Sequence, residues 1–388
     1  MKDIGEGTIR RIDWTELTPV VLLLRVFKVA LRTRVIVLAL IGFWLTVLIG
    51  SFSIPPYLQN EAKINHLLTE ASCFANGFPS SYRSVDCSRL YGVVEAAPPV
   101  LMWGLFCDIP KPYFICSVRE CPRLLLWLPG VILTWAFCGG MICRVVTIRL
   151  TVNESESTGN LLRFIRKRGT GFFSSLIILS LGILCCYLPV KIAYWLMAVP
   201  GWDIVVTLLF PIPLLFVFFM VILTLGLAAG WMLLFAAVST DGSDGFDAIS
   251  RMFSYIFQRP LHYILYWLCS GILGWLGFLL VWFICDTVAG LGEELILFSA
   301  SGVNRETFAS SFWIGLIRSI PIAYSFAWFW TSSVAIYLLL RRSVDATPFC
   351  EVYRVATPKV QTLPTIKQDE RGAPEVKKTE TLAAEPKV

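Results

Sequence analysis

The run Asp241-Gly-Ser-Asp244-Gly-Phe-Asp247 sets three carboxylates at every third residue, a spacing that could hold a hard cation. It lacks the twelve-residue ligand order of a calcium loop and its closing Glu. The acids read instead as caps for the helix that follows, with Ser243 or Asp244 at its N-terminus and Asp247 in its first turn. The chain has two histidines, His66 and His262, and no Ser-His-Asp or Cys-His set can be assembled around them. His262 opens an apolar stretch and reads as an interfacial anchor. No CxxC pair supports a zinc site. No GxxxxGK[ST] loop and no GxGxxG after a strand occurs, which argues against an ATPase or a dinucleotide enzyme. No catalytic, cofactor-binding or metal-binding residue is therefore expected.

The setting of these residues explains their scarcity. Of 388 residues, 56% are hydrophobic and 15% charged, with a mean hydropathy of +0.70. Soluble domains carry about a quarter charged residues. The apolar excess comes in blocks of about twenty residues, the length that spans a hydrocarbon core of roughly 30 Å. Six spans are predicted, near 34–54, 124–143, 172–197, 204–238, 262–285 and 320–340. The expected fold is an all-α polytopic membrane bundle with amphipathic cytoplasmic elbow helices. Pro211 and Pro213 predict an irregular start to the fourth span. Gly226 and Gly230 form a small-xxx-small spacing that favours close helix packing, and Gly271 and Gly274 are assigned to packing as well. Thr331, Ser332 and Ser333 are the most polar mid-span cluster and read as helix–helix hydrogen bonding. No acid or base stands at mid-span, which counts against a proton-coupled transporter.

Bases set the expected orientation. The N-terminal segment, residues 144–168 and the pair Arg341-Arg342 carry the basic clusters, and an even span count puts all three on one side. Both termini are therefore expected in the cytoplasm. The 55–123 loop also holds six bases, but long loops follow this rule weakly.

Three segments look alike: LLRVFKVALRTR at 23–34, LLRFIRKRGTGF at 161–172 and ISRMFSYIFQRP at 249–260. Arg25, Arg163 and Arg251 fall at one position, and Phe27, Ile165 and Phe253 fall two residues on. Each segment leads into a span that is followed by another. The reading is an amphipathic cytoplasmic helix, laid on the membrane surface or under the bundle, and then a membrane hairpin, three times over. Arg25, Lys28, Arg163, Arg166, Lys167, Arg168 and Arg251 are the expected contacts with lipid headgroups or a partner.

The domain boundaries follow: 1–33 a cytoplasmic start with an amphipathic helix, 34–342 the membrane domain, and 343–388 a disordered tail rich in Pro, Lys, Glu and Thr. Within the outer loop, pairing of Cys73 with Cys87 and of Cys107 with Cys116 fits an oxidising exterior. Cys121 is then left over, and other connectivities stay open.

GGMICRVVTIRLTVNE at 139–154, LLRFIRKRGTGFF after it, and DGFDAISRMFSYIFQRPLHYILY at 244–266 resemble uncharacterised multi-pass membrane proteins of planctomycete-type bacteria. TPVVLLLRVFKVALRTRVIVLALIG near the N-terminus is similar in style. The resemblance covers most of 18–342, implies a bacterial inner-membrane protein, and supplies no activity. The architecture alone is also similar to accessory membrane domains that work beside phospholipid enzymes. The expected role is non-enzymatic, organising protein partners or lipids in that membrane. The alternative is a transporter or permease component for an apolar or zwitterionic substrate. Expected partners are membrane lipids and a protein partner or second copy of the chain, with no cofactor and no nucleic acid.

Overall fold

The computed structural model describes residues 21–53, 121–292, 294–295, 308–354, 366–368 and 374–376. The outer loop, with Cys73, Cys87, Cys107 and Cys116, lies outside the described residues. Nine helices are described: α1 Val21–Ala30, α2 Thr33–Ser53, α3 Cys121–Thr151, α4 Thr158–Met197, α5 Asp203–Leu208, α6 Pro211–Asp241, α7 Gly245–Gln258, α8 Pro260–Gly292 and α9 Phe308–Asp345. Six of them, α2, α3, α4, α6, α8 and α9, are long and apolar enough to cross a membrane. The all-α polytopic bundle expected from the sequence is the fold observed.

The six long helices form three hairpins: α2–α3, α4–α6 and α8–α9. The second member of each packs against the other two, so α3, α6 and α9 form a central trio. Every residue of α9 from 321 to 341 is buried. The most apolar stretch of that helix is less apolar than that of any of the other five. The ordering makes sense in lipid, where greasy side chains face acyl tails and small or polar ones face other helices. Around the trio, α2 packs on α3 and α9, α4 packs on α6 and α3, and α8 packs on α9. An aromatic layer fills the centre. Trp135 stacks on Phe326 at 4.4 Å between ring centroids, and Trp330 lies 4.6 Å from Phe235.

The three look-alike segments do not fold alike. The first and third form separate helices, α1 and α7. The second, Leu161–Phe172, was expected to stand apart from its span. It is instead the opening turns of α4, which runs unbroken for 40 residues. The difference is local. Pro260 lacks an N–H and disfavours helical backbone before it, and Arg259 accordingly sits at φ −135, ψ 56. No proline stands between Leu161 and Phe172, and Ser157 caps the helix by accepting from the Asn160 N–H.

Both separate helices pack on the bundle rather than lying free of it. In α1, Leu22, Leu23, Val26, Val29 and Ala30 are buried, and Phe27 meets Trp328 edge-on with ring centroids 6.3 Å apart. A Cβ on Gly277 would come within 2.7 Å of the Phe27 ring. Gly277 and Trp328 are each about halfway along α8 and α9, so α1 reaches well up the bundle. Helix α7 lies between α4 and α6, with Ala248, Met252 and Tyr255 buried. Gly226 receives the Phe253 ring, and Gly230 receives Met252 and Ile256.

Gly226 and Gly230 therefore admit α7, not a second span. Gly274 admits Trp328, whose indole Nε1 donates to the Ser270 carbonyl at 3.0 Å. Gly271 is only half-buried, and Gly277 is the second close-approach site on α8. Replacing Gly230 by Leu should drive Met252 and Ile256 off α6, at a cost of about 1–3 kcal/mol for the overpacking. Faster proteolysis between 242 and 260 in the detergent-solubilised variant is the expected readout. A cleavage rate equal to that of the parent would show that α7 does not need the notch.

The start of the fourth span is irregular, as expected. Helix α5 ends at Leu208, and α6 starts with Pro211 in its first turn, where the missing N–H costs nothing. The tail departs from expectation. Helix α9 continues past 343 to Asp345, and residues up to Tyr353 pack on the bundle. From Arg354 onward the chain forms a separate unit. There β1, Ile366–Gln368, pairs antiparallel with β2, Pro374–Val376, in the register Ile366↔Val376.

Candidate functional site

A buried polar layer closes the end of the bundle where α3, α6 and α9 finish. Arg144, near the end of α3, is 1% exposed. Its Nη1 donates to the Ser239 carbonyl at 3.0 Å and to the Tyr353 carbonyl at 2.8 Å. Its Nε pairs with the Glu156 carboxylate at 3.2 Å, and its guanidinium lies 4.4 Å from the centre of the Phe164 ring. Ser239 is in the last turn of α6, where carbonyls have no partner within the helix. The other carbonyls of that turn are also claimed. The Val238 carbonyl accepts from Gly242, which turns into the left-handed region at φ 63, and the Thr240 carbonyl accepts from the Tyr353 N–H at 2.9 Å. Arg144 thus places a positive charge at the negative end of α6. It also ties in the strap formed by residues 346–353.

Asp241 is the second centre. Its carboxylate accepts from the Tyr337 hydroxyl, from Arg251 at 3.0 Å, and pairs with Arg341 at 3.4 Å. Arg251 also holds Asp247 one turn earlier on α7, at 3.1 Å. Arg341 donates to the Glu351 carbonyl at 2.7 Å, which fixes the strap a second time. Tyr255 of α7 donates to Asp345 at the end of α9, and its ring lies 5.4 Å from that of Tyr337. Burial, with the facing carboxylate of Asp345 behind it, pushes the Tyr255 phenol up. Two arginines, three carboxylates and two phenols thus hold α6, α7 and α9 together.

The acids of the Asp241–Asp247 run are spent on arginines of this layer and its edge. Ser243 or Asp244 was expected to cap α7; Asp244 takes the N-cap position, but its side chain makes no cap bond. Its carboxylate accepts from Arg168 at 2.9 Å instead. Arg168 also lies over the Tyr353 ring at 5.1 Å and, acting before Lys167, holds that phenol below its ordinary range. Among the described residues no group of three or more His, Cys, Asp or Glu is placed to hold a metal ion.

The basic residues expected to contact lipid or a partner divide in two. Arg168 and Arg251 are engaged in the pairs just described. Arg25, Lys28, Arg163, Arg166 and Lys167 are exposed. The hydroxyls of Thr331, Ser332 and Ser333 are buried and bond to carbonyls of α9 itself, at Ala327 and Phe329. They were expected to bond between helices, but they bond instead to carbonyls three and four residues back, which accept them beside the helix N–H. The sequence reading missed Arg144, Tyr337 and Arg341 as members of one layer. Each stands at the polar edge of an apolar block, where a membrane flank looks the same as a buried contact. Comparison with known protein families, curated proteins and solved structures finds no match to this chain.

Proposed function

We propose that this chain is a non-enzymatic integral membrane protein that organises lipids or protein partners in a bacterial inner membrane, with both termini cytoplasmic. The observation that carries the reading is the exposed basic face of α4. The first turns of α4 lie beyond the level at which Phe172 meets Gly140 of α3, and they hold Leu161, Phe164 and Ile165 buried. That fixes the helix and leaves Arg163, Arg166 and Lys167 facing out. Among the described residues no carboxylate pairs with any of the three. A row of bases held on one helix face without a carboxylate partner attracts anionic headgroups beside a membrane, at about 1 kcal/mol for each base. A partner with an acidic surface would meet the same row. The polar layer supports this reading in another way, because its charges are spent on holding the fold.

Neutralising the row as R163Q/R166Q/K167Q tests the reading. Purified in a mild, lipid-retaining detergent, the triple variant should carry about tenfold less anionic phospholipid or protein partner than the parent. Equal recovery of every bound lipid and protein would overturn it.

A further inference from the structure

We infer that Arg32, Arg34 and Arg149 form a second, separate site for a phosphate group, of the kind an anionic phospholipid headgroup carries. The inference rests on the reading that the protein engages lipid, and it names where one headgroup would sit. Helices α1 and α2, which meet at the turn of Leu31 and Arg32, both pack on α3, and the loop 152–157 follows the last turn of α3. Arg34 reaches that loop and donates to the Glu156 carbonyl at 3.0 Å. Arg149 donates to the Asn153 carbonyl at 2.8 Å, and Asn153 takes the left-handed backbone (φ 59) that turns its carbonyl back to the helix. Both guanidiniums are thus oriented by neutral main-chain oxygens.

Among the described residues no carboxylate pairs with either of them. The loop holds two acids, and Glu156 spends its carboxylate on buried Arg144. Glu154 is exposed and makes no ion pair among the described residues. Arg32 itself is half-buried with no hydrogen-bond or ion-pair partner among the described residues, and burial first, then the charge of Arg149, disfavours its charged form. A fold that brings like charges together, orients two of them and withholds an acid is complementary to an anion. Guanidinium forks match phosphate oxygens in pairs. The position fits a headgroup, since this turn marks where α2 enters the bundle and α3 leaves it.

The test is the thermal melting of the full chain in a neutral detergent, with and without added lipid. Phosphatidylglycerol should raise the melting temperature of the parent by about 3 °C or more. The shift should largely vanish in R32Q/R149Q and persist in R163Q/R166Q/K167Q. A second readout has the opposite sign. Without anionic lipid, R32Q should melt at or above the parent, because a half-buried charge without a partner among the described residues is removed. A merely structural arginine would melt lower. Inorganic phosphate at matched concentration should give only part of the shift. If it gives all of it, the site takes free phosphate and the lipid assignment falls. An equal lipid shift in the parent and in R32Q/R149Q overturns this site and leaves the proposed function standing. No shift in the parent overturns this site and the lipid arm of the proposed function, and leaves only the protein-partner arm. If the double variant does not fold, R32Q alone carries the comparison.

Discussion

Replacing Arg144 by Leu should lower the melting temperature of the detergent-solubilised protein by roughly 10 °C, from a loss of about 3–5 kcal/mol. The size follows from what is left behind. The Glu156 carboxylate loses its partner, and two carbonyls, those of Ser239 and Tyr353, lose a charged donor together. Leaving a buried polar group unpaired costs more than forming the bond gains. The effect should also have an address. Arg144 joins α3 to the end of α6 and to the strap, so the strap should loosen before the bundle does. Amide exchange at Tyr353, whose N–H is bonded to the Thr240 carbonyl, should speed up at temperatures where α9 remains protected. R144K keeps the charge but lacks the guanidinium's fork of donors, and should recover only part of the loss. A variant that melts like the parent, with unchanged exchange at Tyr353, would mean that the layer does not hold the strap.

The architecture was legible because it depends on quantities that sum over twenty residues. Apolar length alone locates the six spans, and Pro211 and Pro260 locate two helix starts, since a missing N–H has the same consequence in any context. The repeat was also visible, in Arg25, Arg163 and Arg251. What those arginines touch was not. Arg251 faces two carboxylates, Arg163 faces out, and Arg25 is exposed on α1, so equivalent positions in sequence have different surroundings. The depth of α1 and α7 was hidden for a similar reason. A helix such as 249–260 presents one apolar side whether it meets acyl chains or protein. The notches at Gly226, Gly230 and Gly277 decide between them, and those glycines lie on other helices. The strap was missed because it is held by main-chain atoms, at Glu351 and Tyr353, which no side-chain pattern encodes. Composition flags Pro, Lys and Glu as tail, and it does not register that two buried arginines need carbonyl partners.

Asp241 should give the second large effect, with a pattern that separates charge from shape. D241A leaves Arg251 and Arg341 without the carboxylate between them, and Tyr337 without its acceptor. Arg341 is buried, so its unbalanced charge dominates, and the expected loss is about 3–5 kcal/mol. Arg251 is less affected, because it is half-exposed and keeps Asp247. The double variant D241A/R341M should therefore be more stable than D241A alone. Methionine fills the arginine's apolar volume, and removing both charges together removes the stranded one. R251M should cost less than D241A, and D241A/R251M should recover little. D241N should fall between the parent and D241A, since an amide oxygen still accepts from Tyr337 but carries no charge. A cycle measured by melting and by denaturant, with R341M and R251M as the single partners, reads the coupling of each pair. Strong coupling to Arg341 and weak coupling to Arg251 is the expected order. The reverse order would place the stabilising charge on α7 rather than on the central helix, and the strap at Glu351 would then be independent of Asp241.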